Sequence, residues 1–163
     1  MALSPTVGST AYEERGDTEL VYSRIFDAPA SLVFAAHTDP KHVPQWLLGP
    51  DGWSMPICEI DLRPGGKWRY VWRNNSDGTE FSMHGSYLEV DAPRRIVFTE
   101  QMDDNPGMTN NTVTFDEVDG KTTMTGVIEY PSAEVRQIVL DTGMTGGMDT
   151  SYDRLDTLLP SMA

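Results

Sequence analysis

The sequence predicts an α+β fold, a strongly curved seven-stranded antiparallel sheet wrapped around one long C-terminal helix, with two short helices after the first strand. Three observations lead there. Between Trp53 and Tyr130 runs of alternating apolar and polar residues are separated by short connectors rich in Gly, Pro, Asn and Asp, the pattern of antiparallel strands joined by tight turns. From Ser132 to Leu159 the apolar period changes to three and four residues, placing Val135, Ile138, Val139, Met148, Tyr152, Leu155 and Leu159 on one stripe of a helix roughly 40 Å long. The order of elements (strand, two short helices, six strands, long helix) is satisfied by a sheet that curls around that final helix.

Taken along the chain, residues 1–16 are small, polar and without periodicity, and are expected to form a flexible arm, with residues 17–160 making a single domain. The first strand is read over Thr18–Phe26, with Leu20, Tyr22, Arg24 and Phe26 on one face. Asp27-Ala-Pro-Ala starts a helix, with proline pre-organised for its first turn. Thr38-Asp-Pro40 starts a second, and Pro44 limits that one to a turn or two before Trp46. The remaining strands are read at Ser54–Asp61, Lys67–Asn74, Thr79–Val90, Arg95–Met102, Asn110–Val118 and Thr122–Tyr130. Their connectors are centred on Arg63–Gly66, Asn75–Gly78, Asp91–Pro93, Asp103–Gly107 and the two-residue turn Asp119-Gly120. Pro131 ends the last strand and Ser132 caps the helix. Within that helix Thr142–Met148 carries three glycines, each costing up to about 1 kcal/mol relative to alanine. Either the helix kinks there, or something must approach it closely.

Composition narrows the function classes. The chain has 163 residues and a formal net charge of −13, with three lysines against nine arginines, which argues against nucleic acid and anionic membrane surfaces as partners. There is no apolar run of about 18 residues and no secretory signal pattern, so a cytoplasmic protein is expected. The lone Cys58 excludes an internal disulfide framework and reads as a small buried hydrophobe. His37, His42 and His84 lack metal-ligand spacing, and no glycine-rich phosphate loop is present, so neither a metal nor another cofactor is expected.

The densest aromatic region is Trp46, Trp53, Trp68, Tyr70 and Trp72. The two-residue period puts Trp68, Tyr70 and Trp72 on one face of their strand and Lys67, Arg69, Val71 and Arg73 on the other. The next strand sets Phe81, Met83, Gly85 and Tyr87 against Glu80, Ser82, His84 and Ser86. These rings either fill a core under the helix or, with adaptable methionines such as Met144 and Met148, line a pocket. Gly85 marks a bulge or a close approach. For acid–base chemistry the candidates are His84 and Glu100, because both lie in otherwise apolar strands where burial shifts a pKa toward neutrality. His84 falls on the polar face by alternation.

Short segments in a fixed order over about 140 residues carry a resemblance: Arg24-Ile-Phe-Asp-Ala-Pro29, Thr38-Asp-Pro40, Trp46 with Gly49-Pro50, Asp61-Leu-Arg-Pro-Gly-Gly66 and Gly85-Ser-Tyr-Leu-Glu89. It continues through Pro93-Arg-Arg-Ile-Val-Phe-Thr99, Tyr130-Pro-Ser132, Thr142-Gly-Met144 and Tyr152-Asp-Arg-Leu155. The chain resembles the SRPBCC, or START-like (Bet v-like), superfamily. Within it the chain resembles the AHSA-type family, named after the C-terminal half of the activator of heat-shock protein 90 ATPase. Two departures are Met148, where many relatives carry tryptophan, and Pro44, in a usually continuous short helix.

The resemblance implies a helix-grip fold with a deep, largely apolar cavity between sheet and helix. It implies binding of a small hydrophobic or amphipathic ligand, for which Trp46, Trp53, Trp68, Tyr70, Trp72, Phe81, Met83, Tyr87, Met144 and Met148 are the candidates. A minority of relatives act as cofactor-independent cyclases or dehydratases, which sets the alternative. A chaperone-accessory role ranks last, because residues 1–16 cannot supply the chaperone-binding domain that precedes this one in the namesake. A homodimer stays open.

Overall fold

The computed structural model describes residues 3–103 and 107–162. Its strands are β1 (Ala11–Arg15), β2 (Glu19–Phe26), β3 (Trp53–Ile60), β4 (Lys67–Asn74), β5 (Glu80–Asp91), β6 (Arg95–Met102), β7 (Met108–Val118) and β8 (Lys121–Glu129). The helices are α1 (Ala30–Thr38), α2 (Ala133–Asp141) and α3 (Met144–Met162), with a 3-10 turn at Val43–Gln45. All strands form one antiparallel sheet in the order β1-β2-β8-β7-β6-β5-β4-β3. The helix-grip class is as the sequence predicts. Asp119-Gly120 forms the expected two-residue turn, with φ of 55° and 77° at its two residues. Part of the connector Asp103–Gly107 lies outside the described residues.

Two expectations need correction. The sheet has eight strands, because Ala11–Arg15, placed in the arm by sequence, pairs with β2. Its alternation is too short to read alone. The strand is held by its neighbour's free edge and by the Tyr12 hydroxyl, which donates to Asp149 Oδ1 (2.7 Å) and to the Thr145 carbonyl (3.1 Å). The long helix is likewise two helices. Ser132 caps the first, its hydroxyl accepting from the Val135 N–H at 3.1 Å. The break falls at Thr142–Gly143, where Gly143 has φ +80°, a conformation open to glycine at little cost. The turn changes the direction of the apolar stripe. Tyr152, Leu155 and Leu159 are buried, whereas Ile138 is 59% exposed.

Curvature comes from register shifts between Ser54 and Ile57 in β3 and between Tyr87 and Glu89 in β5. Such bulges bend a strand and deepen the concave face that α3 covers. On β2, Leu20, Tyr22 and Phe26 turn inward and are buried. Arg24 is only 1% exposed, yet its guanidinium reaches Asp153 (2.8 Å) and Asp156 (2.6 Å) on α3 and Thr10 (3.0 Å) ahead of β1. Sheet, helix and arm thus meet at one cation. No described helix is long and apolar enough to cross a membrane.

Candidate functional site

Between the concave face of the sheet and α3 lies an inner chamber of about 180 Å³, adjoined by an outer vestibule of about 380 Å³. The two share Leu47, Tyr70, Glu100, Met144, Met148 and Ser151 as lining. Every aromatic and methionine candidate named from sequence faces one chamber or the other. Trp46, Trp68 and Tyr87 line the inner one. Trp53, Trp72, Phe81 and Met83 line the vestibule, and Tyr70, Met144 and Met148 line both.

Period-two alternation places the rings, and two glycines make room for them. A Cβ on Gly85 would lie 1.8 Å from the Thr99 carbonyl oxygen and 2.7 Å from Trp68 Nε1. The absent side chain lets that indole N–H donate to the Thr99 carbonyl at 3.2 Å. A Cβ on Gly126 would lie 2.0 Å from the Tyr22 ring. Trp68 and Tyr70 rings sit 4.7 Å apart, and Trp72 stacks on Phe81 at 4.7 Å and 12°. Trp46 stacks on Tyr152 at 5.6 Å and donates its indole N–H to the Ala36 carbonyl at 2.9 Å.

Residues 47–50 form one side of the vestibule mouth, and segment 46–51 is strapped to one stripe of α3. Pro50 Cδ and Gly49 Cα pack over Gly147, 3.6 and 3.8 Å from where a Cβ there would be, which is ordinary contact distance. One turn on, Ser151 Oγ accepts from the Gly49 N–H at 2.8 Å. Another turn on, Arg154 donates to the carbonyls of Trp46 (3.2 Å) and Gly49 (2.7 Å) and to Asp51 Oδ1 (3.0 Å). Trp72 adds a bond from Nε1 to the Leu47 carbonyl at 2.8 Å. Of the two alternatives raised by the glycine-rich segment, the break holds, at Gly143, whereas a Cβ at Gly146 or Gly147 would meet nothing closer than ordinary contact. Replacing Arg154 with alanine is expected to cost about 1.5–3 kcal/mol, the range for hydrogen bonds to a charged group. It should also raise amide hydrogen exchange selectively at residues 47–51. Unchanged exchange there would mean the strap does not hold the mouth.

Few polar groups reach this apolar space. Glu100 follows Ile96 and Phe98 on the inward phase of β6 and lines both chambers. Among the described residues its carboxyl has no hydrogen bond or ion pair, and burial pushes its pKa from 4.5 up to about 7. Its charge in turn raises the nearby Tyr22, Tyr70 and Tyr130 hydroxyls, already raised by burial. His37 lines the inner chamber, its ring 4.9 Å from that of Trp46. Its Nδ1 lies 2.8 Å from the Val33 carbonyl, to which it donates, which leaves Nε2 as a buried acceptor without a partner among the described residues. Burial lowers its pKa from 6.5 to about 4.

His84, the other acid–base candidate, is on the opposite face of the sheet. Its Nδ1 is 2.6 Å from Asp103 Oδ1, and Ser82 Oγ donates to the same carboxylate at 2.6 Å. Arg69 also pairs with it at 2.8 Å, and together these hold the Asp103 pKa down at about 2. Cys58 is half-buried, its thiol pushed up to about 11. Sequence reasoning missed Tyr22, His37, Asn111 and Tyr152 as cavity lining. Tyr22 and Asn111 were signalled by their inward phase beside Leu20 and Val113, whereas His37 gave no signal beyond its place on an apolar helix. Among the described residues no group of three or more His, Cys, Asp or Glu side chains is arranged to hold a metal ion.

The family model described as activator of Hsp90 ATPase homolog 1-like protein matches residues 27–160. The chain belongs to this family. A protein from Rhodobacter sphaeroides, in its crystal structure, shares 28% identity over 94% of this chain and 99% of its own, with a TM-score of 0.89. A Mycobacterium smegmatis protein shares 29% identity over 91% of this chain and 94% of its own, with a TM-score of 0.79. An AHSA1-like protein from Aeromonas hydrophila, at 20% identity, covers 84% of this chain and 92% of its own with a TM-score of 0.66, and shares the fold. No curated protein matches the chain.

Proposed function

We propose that this AHSA1-like chain binds a small hydrophobic or amphipathic molecule in the two chambers beneath α3, with the polar end of the ligand at Glu100. The observation that carries the reading is the unpartnered Glu100 carboxyl at the junction of two otherwise largely apolar spaces. Ligand sites are mostly apolar with a few placed polar groups, and the carboxyl of the half-buried Glu100 is free to pair with whatever the chambers hold. The aromatic walls supply contact area, and the unbranched Met144 and Met148 adapt to the shape of the guest.

Native mass spectrometry of freshly purified protein, followed by denaturing extraction, is expected to release a co-purifying organic mass. A Met148→Trp variant, which fills the shared wall, should retain less of it. A clean protein mass, together with no uptake of an apolar fluorophore that Met148→Trp reduces, would remove this reading.

A second reading uses the same cavity for cofactor-independent acid–base catalysis of the cyclase or dehydratase type. It is favoured by a carboxyl that gains and loses its proton near neutral pH, where a general acid or base works best. In that reading Glu100→Gln abolishes turnover while ligand binding survives. Activation of a chaperone ATPase is a property of the family's namesake and does not enter the proposal.

A further inference from the structure

The charge around the two chambers is one-sided. Among the described residues no lysine or arginine lines either of them. His37 is held neutral at physiological pH by burial, and the lining tyrosines Tyr22, Tyr70, Tyr87 and Tyr152 are raised well away from ionisation. Glu100 is thus the lining group whose charge changes near neutral pH, and that charge is negative. Aromatic rings present negative faces to whatever they enclose. The whole molecule, at −13, adds a field of the same sign.

Ligand head groups respond differently to this arrangement. A carboxylate brought to the junction would meet a like charge with no cation to relieve it. A neutral hydroxyl would gain an ordinary hydrogen bond. A protonated amine would bring three donors and a positive charge to a carboxylate that lacks both, with Tyr70 and Ser151 beside it on the shared wall. The apolar part of such a molecule has room on either side of the junction. An engineered apolar cavity of about 150 Å³ accepts benzene, so the inner chamber of about 180 Å³ suits a single ring.

We infer that the junction of the chambers is a site for a lipophilic amine, its ammonium group on Glu100 and its apolar body along the aromatic walls. The inference rests on the ligand-binding reading above and specifies which chemical class that cavity selects.

The test compares three probes of one skeleton, phenethylamine, phenethyl alcohol and phenylacetic acid, by titration calorimetry at physiological ionic strength with the wild type and Glu100→Gln. Glu100→Gln keeps the side-chain shape and removes the buried charge, so it should fold at least as well as the wild type. The amine is expected to bind about 5- to 15-fold more tightly than the alcohol, the difference between a hydrogen bond to a charged group and one to a neutral group. The acid should be weakest. In Glu100→Gln the amine preference should fall to within about threefold, well under one power of ten in affinity, while alcohol binding is retained.

Alcohol binding equal to amine binding in the wild type overturns the amine assignment and leaves the cavity reading standing. An amine preference that survives Glu100→Gln places the amine elsewhere and also overturns it. Failure of all three probes up to their solubility limits overturns both for ligands of this size.

Discussion

Replacing Trp46 with alanine should cost about 3–5 kcal/mol of stability, among the largest losses available from one substitution in this chain. The side chain is 1% exposed and sits between the ring of His37 and that of Tyr152. Its removal withdraws the donor that satisfies the Ala36 carbonyl, and it empties space continuous with the inner chamber. A void that opens onto an existing void has no near neighbour to collapse into it, which puts the cost at the upper end of its range. Domains of this size are stable by about 5–15 kcal/mol, so the loss is a large fraction of the total. Denaturant unfolding with fluorescence and circular dichroism would measure it, and Trp46→Phe should recover part of the loss. A cost under about 1 kcal/mol would contradict the packing described here.

Glu100→Gln should act in the opposite direction, and only above a definite pH. The native carboxyl has a pKa raised to about 7 from 4.5. Between those values the folded protein holds a proton that the unfolded chain has released, so this group lowers stability as pH rises through the window. The penalty levels off above about pH 7, at on the order of 3 kcal/mol. The variant should therefore match the wild type below pH 4.5 and exceed it by that amount at pH 8. His37 gives the mirror image. Its folded pKa of about 4 lies below 6.5, so its neutral buried form loses stability as pH falls from 6.5 toward 4. The two windows nearly coincide and their slopes oppose each other. Removing Glu100 should expose the His37 slope as a stability that climbs with pH across that range. A difference between variant and wild type that does not change with pH would mean the Glu100 carboxyl is not desolvated.

How much of this was legible beforehand follows from how local each feature is. Lys67–Asn74 and Arg95–Met102 match their predicted limits, because strong alternation bounded by turn residues is written within the segment itself. The inward set of Trp68, Tyr70 and Trp72 followed from the same period. β1 was not readable, since five residues with a weak pattern become a strand only against the edge of β2 and under the distant Asp149. The glycines at 143, 146 and 147 announced an irregularity. Separating a break from a close approach needed to know what lay opposite, and the Gly49-Pro50 segment about a hundred residues earlier stays at ordinary contact distance, which leaves the break. Alternation had already put His84 on the polar face of its strand, whereas the place of Glu100 in the cavity follows its shared phase with Ile96 and Phe98.

On its inner side β2 pairs with β8, and the cover over the Trp68–Trp72 face is a helix that follows every strand in the sequence. Contacts between segments so far apart must wait for the intervening chain to be ordered, and topologies dominated by them fold in milliseconds to seconds rather than microseconds. During synthesis the aromatic strands β3 to β6 therefore emerge with a tacky, uncovered surface and stay so until α3 is available. The acidic surface has a use in that interval. A chain carrying −13 repels its own copies while its rings are still bare. The net negative charge thus guards the unfinished protein against aggregation.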